Sequence, residues 1–171
     1  LDGGNKVHVG FRMDNISGST DDGDRPSLIA PDLRARNIRR HTLALAYGSG
    51  INVDGAWELV DLERAVVENV TMAAAAHNVG IQGIDGIRLS RTGAGDVRDA
   101  HIGKALVRNV WSDDDEEFRD QDGIVMFSVF YDLPTPMASS SRMSVDGARV
   151  ENVRGRSIKC QGHHNYISNV H

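Results

Sequence analysis

Apolar and polar positions along this chain fall into short recurring words rather than long periods. Six times the order apolar, polar, Asn, apolar returns: Met13-Asp14-Asn15-Ile16, Ala35-Arg36-Asn37-Ile38, Val67-Glu68-Asn69-Val70, Val107-Arg108-Asn109-Val110, Val150-Glu151-Asn152-Val153 and Ile167-Ser168-Asn169-Val170. With Asn52 and Asn78, eight of the ten Asn residues precede Val or Ile, several times the chance rate. In a strand, neighbouring side chains face opposite sides, so the flanking apolar residues can enter a core while the polar one faces out. Asn tolerates the left-handed region and turns the chain, and its amide can bond an equivalent amide in the next layer. The repeated word predicts passes of strand that bend at one recurring corner.

A second word is Asp-Gly, found at Asp2-Gly3, Asp22-Gly23, Asp54-Gly55, Asp85-Gly86, Asp122-Gly123 and Asp146-Gly147. Each reads as a turn, because Gly accepts positive φ and Asp bonds its own backbone. The Asn words lie 22, 32, 40, 43 and 17 residues apart. That irregularity suits a solenoid with a core turn of about 20 residues and inserted loops. The best helical candidate, Ala56 to Ala76, carries Val66, Val67, Val70 and Thr71, which favour strands. The run Ala73 to Ala76 reads as a tight inward corner. A Greek-key sandwich is the competing fold, but it does not explain Asn-Val recurring at one edge.

Composition fits many short strands. The chain is 40% hydrophobic but only 5% aromatic, with 18 Gly and 4 Pro in 171 residues. It carries 24 acidic against 19 basic residues, a net charge of -5. That balance argues against nucleic acid, whose phosphates call for a basic face. No apolar run approaches the length needed to span a bilayer, so no membrane insertion is expected. Cys160 stands alone, which excludes an internal disulfide and suggests packing. The chain opens and closes in repeat-like sequence, so the expectation is one domain, 1–171, cut from a longer β-helix.

Two segments, Leu1-Asp2-Gly3-Gly4-Asn5-Lys6-Val7-His8-Val9-Gly10-Phe11-Arg12-Met13-Asp14-Asn15-Ile16 and Gly162-His163-His164-Asn165-Tyr166-Ile167-Ser168-Asn169-Val170, resemble the pectate-lyase-like superfamily. The resemblance is generic to the architecture and extends over nearly the whole chain. It implies an all-β fold, a right-handed single-stranded parallel β-helix. It also implies an outer groove that takes a polysaccharide, as in lyases, polygalacturonase-like glycoside hydrolases and phage tailspikes. An extracellular or virion-surface location, and a homotrimer by analogy with tailspikes, go with it. The polygalacturonase-like signatures are not carried over: Gly162-His163-His164 lacks the second Gly, and Arg156-Ser157-Ile158-Lys159 has one residue too many and precedes it.

Three groups of residues are candidates for chemistry. The run Asp113-Asp114-Asp115-Glu116-Glu117, with Asp120 and Asp122, follows the Asn109 word where a loop should project. Crowded carboxylates can hold Ca²⁺, can supply a general acid beside a general base, or can simply be solvated. A glycosidase needs such a pair. Asp114, Asp115 and Glu116, helped by His163, are the catalytic candidates. Asp113, Asp120 and Asp122 are the candidate Ca²⁺ ligands, with no cofactor as the alternative. Arg154, Arg156 and Lys159 are candidate substrate contacts, since in a lyase a cation neutralises a sugar carboxylate. Trp111, beside the acidic run, is the expected exposed platform for a sugar ring. Phe127 to Tyr131 is expected in the core, and Pro134 to Arg142 as an inserted loop. The alternative function is a non-catalytic structural or receptor-binding solenoid.

Overall fold

The computed structural model describes residues 2–4, 9–15, 26–40, 48–55, 57–72, 83–90, 97–112, 121–127, 142–161 and 165–171. These residues are all-β with no helix. The strands are β1 (Val9–Asn15), β2 (Ser27–Ala30), β3 (Leu33–Arg40), β4 (Gly48–Gly55), β5 (Trp57–Met72), β6 (Ile84–Ser90), β7 (Val97–Ser112), β8 (Gln121–Phe127), β9 (Arg142–Val145), β10 (Ala148–Val153), β11 (Ile158–Gln161) and β12 (Asn165–Ile167).

Every pairing is parallel, and the chain visits two sheets in turn. Sheet I runs β1-β4-β6-β8-β11; sheet II runs β12-β9-β7-β5-β2, with β3 also on β5 and β10 also on β7. Each interior strand therefore pairs with the strand one visit earlier and the strand one visit later. This arrangement is compatible with a β-helix or solenoid. Parallel sheets need both faces handled, and here the inner faces close on one core. Val60, Leu62, Ala65, Val67, Val70 and Met72 of β5 pack with Ile51, Val53, Ile84, Ile87, Leu89, Ile102, Val107, Val110, Ile124 and Met126, all at 0% exposure. Each such aliphatic side chain contributes about 1.5–3 kcal/mol by leaving water.

The inward rhythm of β5 explains the sequence words. Val60 and Leu62, then Ala65 and Val67, then Val70 and Met72 point inward; the doublets Glu63-Arg64 and Glu68-Asn69 interrupt the alternation. The second doublet holds the Asn of the word. Asn37, Asn69, Asn109 and Asn152 all have positive φ, 52° to 59°, within otherwise extended strands. Their amides form a ladder. Asn69 Nδ2 donates to Asn37 Oδ1 at 3.0 Å, Asn109 Nδ2 to Asn69 Oδ1 at 2.8 Å, and Asn152 Nδ2 to Asn109 Oδ1 at 2.8 Å. Asn37 Nδ2 finishes it on Asp2 Oδ1 at 3.1 Å. The spacings 32, 40 and 43 are thus true layer steps, as Ile38 pairs with Val70, Val70 with Val110 and Val110 with Val153.

Other words mean something else. Asn15 and Asn52 lie in sheet I, on β1 and β4. Asn169 has φ 51° but sits off the ladder: Val170 bridges Ala148, a step of 22 residues rather than 17. Asp85-Gly86 and Asp122-Gly123 are not turns; both lie inside strands, buried. The Ala56 to Ala76 segment is the strand β5 as far as Met72, not a helix. Ala73 to Ala76, Asn78, Phe130, Tyr131 and all of Pro134 to Arg142 except Arg142 lie outside the described residues.

Candidate functional site: the outer face of sheet II

Because the layers stack in register, outward residues form columns that can be counted from the Asn ladder. Eight positions before each ladder Asn stand Ile29, Asp61, His101 and Ser144, and the strands pair them in that order, with Tyr166 next to Ser144. A neighbouring column is Leu59, Asp99 and Arg142. At the first outward doublet, Arg64 pairs with Lys104. One position before the ladder Asn, Arg36 pairs with Glu68, Glu68 with Arg108 and Arg108 with Glu151, so charge alternates from layer to layer.

Among the depressions on this face, two lie side by side. The larger, about 1020 Å³, crosses from the Pro31-Asp32 link over β5 and β7 to Asp146-Gly147. Its lining includes the half-buried outward side chains Val66 and Leu106, with Glu63, Arg64, Lys104 and Asp146 beside them. The smaller, about 420 Å³, is lined by Leu59, Asp99, Ala100, His101, Arg142, Met143, Ser144 and Tyr166.

Three sets of charged groups here are paired. Arg142 donates through Nε and Nη2 to the two oxygens of Asp99, both at 2.8 Å. That hydrogen bonding raises the guanidinium further above its ordinary value. His101 is held between layers: Nδ1 lies 3.0 Å from Asp61 Oδ1, and Nε2 lies 3.0 Å from Asp146 Oδ2. Burial alone would lower the His101 pKa, but the hydrogen bonds to Asp146 and Asp61 outweigh it and the value is raised. A carboxylate on each nitrogen favours the doubly donating imidazolium form of the ring. Arg34 grips Asp32 through Nε and Nη2 at 2.9 and 2.7 Å, and this holds the Asp32 carboxyl below its usual range.

The residues singled out from sequence are scattered. Trp111, 41% exposed, follows Val110 on β7, and Arg154 follows Val153 on β10; since Val110 and Val153 pair, the two occupy adjacent layers. Arg154 donates through Nη1 to Ser112 O at 3.2 Å. Lys159 is in sheet I, paired with Val125. Arg156 meets Asp122: its Nε and Nη2 donate to Oδ1 and Oδ2 at 2.9 and 3.0 Å, and its backbone N donates to Oδ1 at 3.1 Å. A candidate substrate contact and a candidate metal ligand thus hold each other. Three of the four lone-pair directions of Asp122 are taken, leaving a poor cation ligand. Among the described residues, no group of three His, Cys, Asp or Glu could hold a metal ion. Asp113, Asp114, Asp115, Glu116, Asp120 and His163 lie outside the described residues. Cys160 packs half-buried against the core, and burial pushes its thiol pKa up, so it is no ready nucleophile.

Sequence reasoning did not single out Asp61, Glu63, Asp99, His101, Lys104, Arg142, Asp146 or Tyr166. The signal that finds most of them is the count back from each ladder Asn. The chain matches no protein-family model, no curated protein and no solved structure with which it was compared.

Proposed function

We propose that the chain is a stack of coils from a right-handed parallel β-helix of the pectate-lyase-like kind, and that it binds an extracellular or virion-surface polysaccharide along sheet II. One observation carries this: the groove of about 1020 Å³ that crosses successive layers. It combines apolar outward residues, Val66 and Leu106, with charged residues at its edge. An apolar surface suits the C–H face of a sugar ring, and polar edges suit its hydroxyls. A depression that repeats from layer to layer suits a polymer rather than a single small molecule.

The test is affinity electrophoresis of the chain against a panel of neutral and acidic polysaccharides. Retardation by at least one polymer, weakened in Leu106→Asp, is the expected result. Free migration on every gel refutes binding. Cleavage by Asp114, Asp115 and Glu116 with His163 is a separate proposal, read by reducing-end release and its loss in Asp115→Ala and Glu116→Ala.

The column Arg36, Glu68, Arg108 and Glu151 favours a second reading, a structural rod. Ions of alternating sign in register reward stacking: Arg108 pairs with Glu68, and Arg36 Nε lies 3.0 Å from Asp2 Oδ2. Under that reading no polymer binds.

A further inference from the structure

We infer that one ring of the saccharide taken along sheet II lies against Tyr166 in the cavity of about 420 Å³, and that this ring is uncharged. This deepens the binding reading and rests on it.

The cavity and the groove share a wall. His101 lines the first, Asp146 lines the second, and the two are joined at 3.0 Å. A chain in the groove can therefore continue into the cavity. There the aromatic face of Tyr166, 62% exposed, and the side chain of Leu59 give apolar contact. Ser144 and the edges of Asp99 and Arg142 supply donors and acceptors. That mixture fits a pyranose ring, apolar on its faces and hydroxylated at its rim.

Charge decides between neutral and acidic sugars. The cations facing the cavity are already matched: Arg142 gives two hydrogen bonds to Asp99, and His101 lies between Asp61 and Asp146. A sugar carboxylate would have to displace a protein carboxylate to reach either one. In the groove, Asp32 is held by Arg34 and Asp146 by His101, which leaves Glu63 beside Arg64 and Lys104, so the choice between neutral and acidic sugars is made in the cavity. The chain as a whole is at -5. Hydroxyls carry no charge and can bond to the free edges of these pairs without breaking them.

The experiment titrates the chain with neutral and uronate polymers of matched length, at low and at high salt. The expected result is binding of a neutral polymer that salt barely changes. Tyr166→Ala should weaken it about tenfold and Tyr166→Phe should hardly change it, since the ring stacks without its hydroxyl. Circular dichroism of each variant confirms that the strands persist. Tighter binding of a uronate polymer, lost with salt, overturns the neutral assignment while leaving polysaccharide binding intact. Neutral binding unchanged in Tyr166→Ala overturns the cavity assignment. Absence of binding to any polymer overturns this inference and the binding reading together.

Discussion

Gly86 and Val107 stand so close that a single added carbon does not fit between them. A Cβ on Gly86 would lie 2.4 Å from Val107 Cγ1 and 2.5 Å from the carbonyl oxygen of Gly123. Gly50 and Gly123 meet the same obstruction in their own layers, a valine side chain on one side and a backbone carbonyl on the other, and at Gly10 the side chains are Ala35 and Ile38. Gly86→Ala should therefore destabilise the chain by about 3 kcal/mol or prevent folding. Trimming the valine in Gly86→Ala/Val107→Ala should not rescue it, because the carbonyl remains. Urea denaturation of the single and double variants checks this; rescue by the double variant would mean that side-chain packing alone sets the constraint.

At Asn109 two effects separate. Its amide donates to Asn69 and accepts from Asn152, and its φ is 59°. Asn109→Gly keeps the backbone free to adopt that φ and loses the two hydrogen bonds, about 1–2 kcal/mol. Asn109→Ala adds the cost of a left-handed alanine, about 1 kcal/mol more. The order of denaturation midpoints should be wild type, Gly, Ala. Equal midpoints for Gly and Ala would show that the left-handed corner is not what the Asn supplies.

The Arg156–Asp122 pair is lopsided: the Arg156 side chain is 51% exposed and that of Asp122 only 1%. Removing the arginine strands a buried carboxylate, whereas removing the aspartate leaves a cation that water can reach. Arg156→Ala should cost about 3 kcal/mol, and Asp122→Ala about 1–2 kcal/mol. Thermal melts of both variants at neutral pH test the order, and a larger loss in Asp122→Ala would contradict it.

His101 gives the chain a pH dependence of known sign. Its pKa is raised in the folded state, with hydrogen bonds to Asp146 and Asp61 overcoming the opposing effect of burial. The folded protein therefore holds this proton more tightly than the unfolded chain. The stabilisation is complete below the unfolded pKa of 6.5 and is lost as pH rises through the higher folded value. The side chain is 37% exposed, so solvent screening limits the effect to about 1 kcal/mol. Wild type should exceed His101→Gln in melting temperature near pH 6, and the gap should shrink as pH rises through the folded-state pKa. A gap that widens with pH would reverse the assignment.

Legibility in the sequence followed locality. Asn69 could be recognised as a corner because its requirement is local: a residue that tolerates positive φ, with a valine on each side of the Glu-Asn pair. The same reasoning misread Asp85-Gly86, where glycine serves close approach across layers and the aspartate is fully buried and paired with Arg88 at 2.9 Å. Two neighbours in sequence cannot tell a turn from a contact made 37 residues away, as between Gly86 and Gly123. Asn15 failed likewise, since its word matches but its strand belongs to the other sheet.

The sequence alone determined that the chain is built of short parallel-stacking strands with a recurring Asn corner, because strand alternation and the left-handed preference of Asn act within four residues. It also set the net negative charge that disfavours polyanions. Only the tertiary structure decided which residues share a face. His101 meets Asp61 and Asp146 across separations of 40 and 45 residues, and the step between layers varies from 22 to 43, so no fixed period predicts the column. Register is fixed by burying the aliphatic core and bonding the Asn ladder, and the outer groove is the surface that this stacking leaves exposed.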